Sequence, residues 1–132
     1  MESYGDFVYF GGGGGYEIKN QIVGYRMEPG NPILTKIIHE EHTGEGVSNF
    51  MTLPKDGGNV LIASVDQTVH FYNIEQKTGA LSLLQKFEAD FSAENPSLNN
   101  VVLSFDNTLL ATGGDDMAIR IFGISKDFKS NE

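Results

Sequence analysis

Short runs of alternating apolar and polar residues dominate the chain. Val69-His70-Phe71-Tyr72-Asn73-Ile74 and Ile119-Arg120-Ile121-Phe122-Gly123-Ile124 both run apolar, polar, apolar, aromatic, small or polar, apolar. Ile22-Val23-Gly24-Tyr25-Arg26-Met27 is a weaker third copy. A period of two is the signature of a β-strand. An apolar segment precedes each copy, at 7–10, 60–65 and 109–112, and each runs into Gly or Asp, the residues that tight hairpins need. Further strand segments follow the first two copies at 33–39 and 81–87, and precede the last two at 48–53 and 99–105. Leu81-Ser82-Leu83-Leu84 alone is ambiguous, but Gly79 and the register of the repeat assign it to a strand. No segment has a sustained helical stripe.

The aromatic positions Tyr25, Tyr72 and Phe122 are spaced by 47 and 50 residues. Four-stranded propeller blades repeat at about 40–50 residues. The pattern therefore predicts an all-β chain of antiparallel strands forming about two and a half blades of a β-propeller over 1–124. The blades are strands b, c and d at 6–42, a whole blade at 47–91, and strands a, b and c at 98–124, with a polar tail at 125–132. A partial ring leaves sheet edges and a blade face open, so the chain is expected to belong to a longer protein and, alone, to be marginally stable or to self-associate.

Composition narrows the partners. The 132 residues carry a formal net charge of −9, which disfavours nucleic acid or an anionic membrane as a direct partner. There is no cysteine, hence no disulfide framework and no thiolate metal site. Neither a secretory signal nor a membrane-spanning apolar stretch is visible.

The candidate chemistry is sparse. Gly11, Gly12, Gly13, Gly14 and Gly15 form a run that could cradle a phosphate, but a strand follows it where an anion site needs a helix, and no Gly-Lys-Ser/Thr is present. The run is then expected to be a hairpin tip, either a bare flexible turn or a loop that touches a partner. His39-Glu40-Glu41-His42 has spacing i, i+3 at a strand end and reads as a solvated end, not a zinc motif. His70 alternates against Val69 and Phe71 and is expected at the surface. Asp66, Asp115 and Asp116 occupy turn positions, and no catalytic triad can be placed, so the chain is not expected to be an enzyme.

The stretch 105–116, ending Thr112-Gly113-Gly114-Asp115-Asp116 and followed by Ile119-Arg120-Ile121-Phe122, resembles a WD repeat. Phe122 stands at the tryptophan and Gly123 at the next aspartate, with Tyr72-Asn73 at the same place one blade earlier. Such a degenerate signature implies an incomplete polar network. Three features together, the glycine run ending Ile18-Lys19-Asn20, Asp90-Phe91-Ser92 leading into Val101-Val102, and the run from Asn107 to Gly114, resemble the prolactin regulatory element-binding protein family. These are endoplasmic-reticulum exchange factors that load GTP onto the small GTPase starting coat protein complex II (COPII) assembly. The resemblance implies a seven-bladed propeller on the cytoplasmic face of the endoplasmic reticulum membrane, anchored by a later segment. It also implies that the loop after the glycines meets the GTPase and binds a potassium ion. Ile18 and Asn20 match the contacting positions, Asn20 matches the ion-binding one, and Lys19 lies between them. The loop departs from the family pattern by being about two residues shorter, with Glu17 where glycine is usual. Nucleotide exchange works by differential binding, without bond chemistry. A WD-repeat interaction scaffold without exchange activity is the alternative.

Overall fold

The computed structural model describes residues 1–31, 37–92, 94 and 96–125. Their regular structure is entirely β, in three antiparallel sheets. The first contains β1 (Glu2–Tyr4), β2 (Phe7–Gly12), β3 (Gln21–Arg26) and β4 (Ile37–His42). The second contains β5 (Ser48–Thr52), β6 (Val60–Val65), β7 (Thr68–Ile74) and β8 (Leu81–Glu88). The third contains β9 (Leu98–Leu103), β10 (Leu109–Gly114) and β11 (Ile119–Gly123). Each sheet is a meander with strands in chain order, as in a partial propeller. The first sheet has a strand, β1, that the hydrophobic pattern does not announce, because it is three residues long and begins Glu-Ser. Of the strand expected at 33–39, positions 33–36 lie outside the described residues, as does most of the polar tail.

Register confirms the repeat. Tyr25 pairs with Val8, Tyr72 with Leu61 and Phe122 with Leu110, so the three aromatic residues occupy one equivalent rung. The second sheet is covered on both faces. Leu61, Ala63, Tyr72 and Ile74 pack against Phe7, Tyr9 and Ile22 of the first sheet. Val60, Ile62, Val69 and Phe71 pack against Val101, Leu103 and Leu110 of the third. Burying both faces explains why β6 is apolar almost throughout rather than alternating.

The β7–β8 turn keys the first two sheets together. Gly79 has φ of 74°, and a Cβ there would lie 2.7 Å from Phe7 and 2.5 Å from Ile38. Only glycine combines that dihedral with that lack of room. Its carbonyl accepts the buried Tyr9 hydroxyl at 2.7 Å, and burial, with Tyr4 adding to it, pushes the Tyr9 phenol up to about 12.

Candidate functional site: the loop end of the three sheets

In a chain-order meander, alternate connections lie at alternate ends. The β2–β3, β6–β7 and β10–β11 hairpins therefore share one end with the β4–β5 and β8–β9 connections. Hydrogen bonds join them into a belt. Asn20 Oδ1 accepts Gly14 N–H at 2.7 Å, and the Asn20 amide donates to the carbonyls of Gly44 and Glu45 at 3.2 and 3.0 Å. Next along, Asp66 Oδ1 accepts Val47 N–H. The Asp66 carbonyl accepts Leu98 N–H and the Gln67 carbonyl accepts Ala89 and Asp90 N–H. Asp115 N–H donates to the Ser97 carbonyl. In every sheet, a polar residue of the hairpin is tied to the connection between sheets.

The first hairpin is the exception in length. Blade two turns at Asp66–Gln67, whereas β2 and β3 are separated by 13–20. Gly11 and Gly12, expected in the loop, are strand residues of β2 paired with Ile22 and Gln21. Gly11 is small for packing reasons: a Cβ there would lie 2.7 Å from Ser48 Oγ. The loop proper begins at Gly13, whose φ is 137° and whose missing Cβ leaves room for Asn20 Oδ1. Ile18 N–H donates to the Gly15 carbonyl, closing a tight turn. At its tip Tyr16 is 91% exposed, with Ile18 and Lys19 exposed beside it. Glu17 has φ of 59°, a left-handed conformation that glycine adopts without cost. Of the residues expected to act together, the fold joins Gly13, Gly14 and Asn20 at the loop base and Gly15 to Ile18 at its tip.

The oxygens at the loop base are drawn into hydrogen bonds within the chain. Asn20 Oδ1 already accepts Gly14 N–H, and the carbonyls of Gly44 and Glu45 are directed at the Asn20 amide. Among the described residues, no group of three or more His, Asp or Glu could hold a metal. In the stretch read as a solvated strand end, Glu40 and His42 are exposed, but His39 and Glu41 are half-buried and 3.1 Å apart.

Sequence reasoning misses two polar systems behind this end. His70 is buried, not at the surface. The Thr68 hydroxyl donates to the Val65 carbonyl at 2.8 Å, so it accepts from His70 Nε2 at 2.9 Å. His70 Nδ1 then accepts from the Tyr72 hydroxyl at 2.9 Å. Every donor in this chain has an acceptor only if the imidazole is neutral. Burial pushes His70 below the ordinary imidazole range, Lys86 adds to the shift and Glu41 opposes it. Burial likewise raises the Tyr72 phenol. In the β8–β9 connection the buried Asp90 accepts Ser92 and Ser97 N–H, and Arg120 of the third sheet lies 3.7 Å from it while pairing with Asp116 at 2.6 Å. These bonds hold the Asp90 and Asp116 carboxyls below the usual carboxylate range, through Ser92 first for Asp90 and through Arg120 first for Asp116. The signal that could find both systems is the aligned register of β7 and β11, where His70 and Arg120 are equivalent.

No family model matches the chain, and no curated protein matches it by sequence. Solved structures do share its fold. One is a protein provisionally assigned as a 6-phosphogluconolactonase from Bacteroides uniformis, at 14% identity and a TM-score of 0.70, covering 97% of this chain and 36% of that one. A chain of the COPII outer coat vertex on membranes superposes at 13% identity and a TM-score of 0.67, covering 92% of this chain and 32% of its own. Sqt1 of Chaetomium thermophilum does so at 19% identity and a TM-score of 0.62, covering 90% and 28%. The chain thus spans about a third of the length of these structures, and the likeness is one of fold.

Proposed function

We propose that the chain is the front part of a guanine nucleotide exchange factor for the small GTPase that begins COPII budding, acting at the cytoplasmic face of the endoplasmic reticulum. The observation that supports this is the loop 13–20. It replaces a two-residue hairpin by a braced projection whose exposed tip holds Tyr16 and Ile18. Loops on a stiff sheet scaffold are where binding is placed. A tip that fits the nucleotide-free GTPase better than the loaded form accelerates release, with no bond made or broken. Ile18 is then the contact residue. Asn20 is a positioning residue that fastens the loop to Gly44 and Glu45, and Lys19 stays hydrated. The COPII coat chain among the structural neighbours makes the pathway a natural one to test.

The test is release of labelled GDP from that GTPase by the full-length protein. Asn20→Ala is expected to slow catalysed release roughly thirtyfold, equivalent to about 2 kcal/mol, with an unchanged circular dichroism spectrum. Ile18→Ala is expected to act in the same direction. Wild-type exchange in both folded variants would remove the loop from the mechanism. The second reading is a WD-repeat interaction scaffold, favoured by the fold likeness to proteins as different as the lactonase-like chain and Sqt1. Tight GTPase binding without faster release would select it.

A further inference from the structure

At the loop end, the seam between the first and second sheets opens into a cavity of about 230 Å³. One wall is the β4–β5 connection, with Thr43. The other is the second sheet, with Asp66 and Gln67 at the hairpin tip, Thr68 and His70 on β7, and Lys86 on β8. The hydrogen bonds of this end leave a defined set of groups over. Asp66 Oδ1 accepts Val47 N–H at 3.2 Å, but Oδ2 accepts nothing among the described residues. The Gln67 amide donates to Glu88 at 2.6 Å, which orients it and leaves Oε1 without a donor. The Thr43 hydroxyl donates to the Gly46 carbonyl, so its oxygen is left as an acceptor. The exposed Lys86 forms no ion pair with any described residue.

Three acceptors, one of them a carboxylate oxygen, and one ammonium thus line a common space. Asp66 and Lys86 carry opposite charges, yet they do not meet. From Asp66 to His70 the strand rises about 13 Å, and Lys86 lies opposite His70 on the neighbouring strand. We infer that this cavity binds a free α-amino acid, its ammonium held by Asp66, Gln67 and Thr43 and its carboxylate by Lys86. An ammonium has three N–H donors, and the lining offers three acceptors. The carboxylate has acceptors only, and it meets the cation. A ligand with one charge satisfies one end and leaves the other unmatched. In a peptide the two charges are separated by the chain, whereas a single amino acid carries both on one carbon. The inference stands apart from the exchange reading, since it uses the seam between two sheets and no residue of the loop 13–20.

Equilibrium dialysis of radiolabelled glycine against the full-length protein at neutral pH tests it. Saturable binding of one glycine per chain is expected, with a dissociation constant of about 1 mM. Unlabelled alanine is expected to compete. Acetate, methylammonium and glycylglycine at the same concentration are expected not to. Asp66→Asn keeps an oxygen for Val47 N–H and suits the left-handed φ of 48°. Lys86→Met keeps an apolar stem on an exposed strand. Each is expected to weaken glycine binding about tenfold or more, with an unchanged circular dichroism spectrum. No saturable binding at about ten times the expected constant overturns the inference. So does acetate competing as well as alanine, which would make the cavity a plain anion site on Lys86. Wild-type affinity in folded Asp66→Asn would do the same. Should a variant unfold, the competition series on the wild type decides by itself, because it asks directly whether both charges are needed on one small ligand.

Discussion

The second and third sheets place different side chains at one position. His70 and Arg120 lie on equivalent rungs, next to Tyr72 and Phe122, and both face the preceding sheet. In the second sheet the neighbours are hydroxyls, and a neutral imidazole completes an uncharged chain from Tyr72 to Val65. In the third the neighbours are carboxylates, and a cation is required. The second sheet is packed on both faces and can bury its polar row. In the third, the Arg120 and Asp116 side chains keep some contact with solvent while Asp90 is fully buried. The equivalent positions of the repeat are thus not left empty; each is filled with a different local solution.

The largest expected contrast comes from the aromatic rung itself. Tyr72 is fully buried, so Tyr72→Ala is expected to cost about 3–5 kcal/mol in urea denaturation, whereas Phe122→Ala, at a half-buried site, is expected to cost about half as much. Equal losses would mean that the third sheet is as well packed as the second. Arg120→Met comes next. It leaves the buried Asp90 carboxylate without its cation and is expected to lower the urea midpoint more than the next substitution does. His70→Gln removes only uncharged hydrogen bonds and is expected to cost about 1 kcal/mol.

The same pair separates by pH. The His70 pKa is lowered in the folded protein, so its contribution is complete above the unfolded value of about 6.5 and is lost as pH falls through the folded value. Asp90 and Asp116 are also lowered, but as acids: their contribution is complete above about 3.8 and is lost only below it. Urea midpoints are expected to fall in two steps, and His70→Gln to flatten the upper step alone. A wild-type midpoint unchanged between pH 7.5 and 5 would refute the neutral imidazole.

The smallest effect concerns the turns. Asp66 and Met117 both have left-handed dihedrals, φ 48° and 61°. Met117 is 95% exposed, so Met117→Gly is expected to stabilise by up to about 0.5 kcal/mol. Asp66→Gly is expected to destabilise despite the same relief, because the bond to Val47 is lost. The same sign for both would make the Asp66 bond energetically idle.

Strands built on strong apolar pairs, such as β2, β6 and β10, are legible in the sequence, and so is the aromatic rung that repeats through them. β1 is not, because three residues beginning Glu-Ser show no period. His70 shows the limit of alternation as a guide. The period correctly puts it on the face opposite Phe71, but in a sheet covered on both sides the opposite face is another interior. The glycine loop is visible as composition. What holds it is not, since Asn20 meets Gly44 and Glu45 only after β4 has returned the chain. Arg120 and Asp90 likewise lie thirty residues apart in sequence, where no local pattern joins them.

The turn at Gly79 bears on modularity. A repeat protein invites the idea that its units can be shuffled, duplicated or grafted. Here the unit of β5–β8 carries a glycine notch shaped for Phe7, Tyr9 and Ile38 of the unit in front. At the rungs of Phe7 and Tyr9, the second sheet has Val60 and Ile62, neither of which has a hydroxyl for the Gly79 carbonyl. A tandem copy of β5–β8 would meet itself with an orphaned acceptor and an unfilled notch. The order of the units is therefore written into the seam between them, and duplication of this unit would need compensating changes on the face it joins.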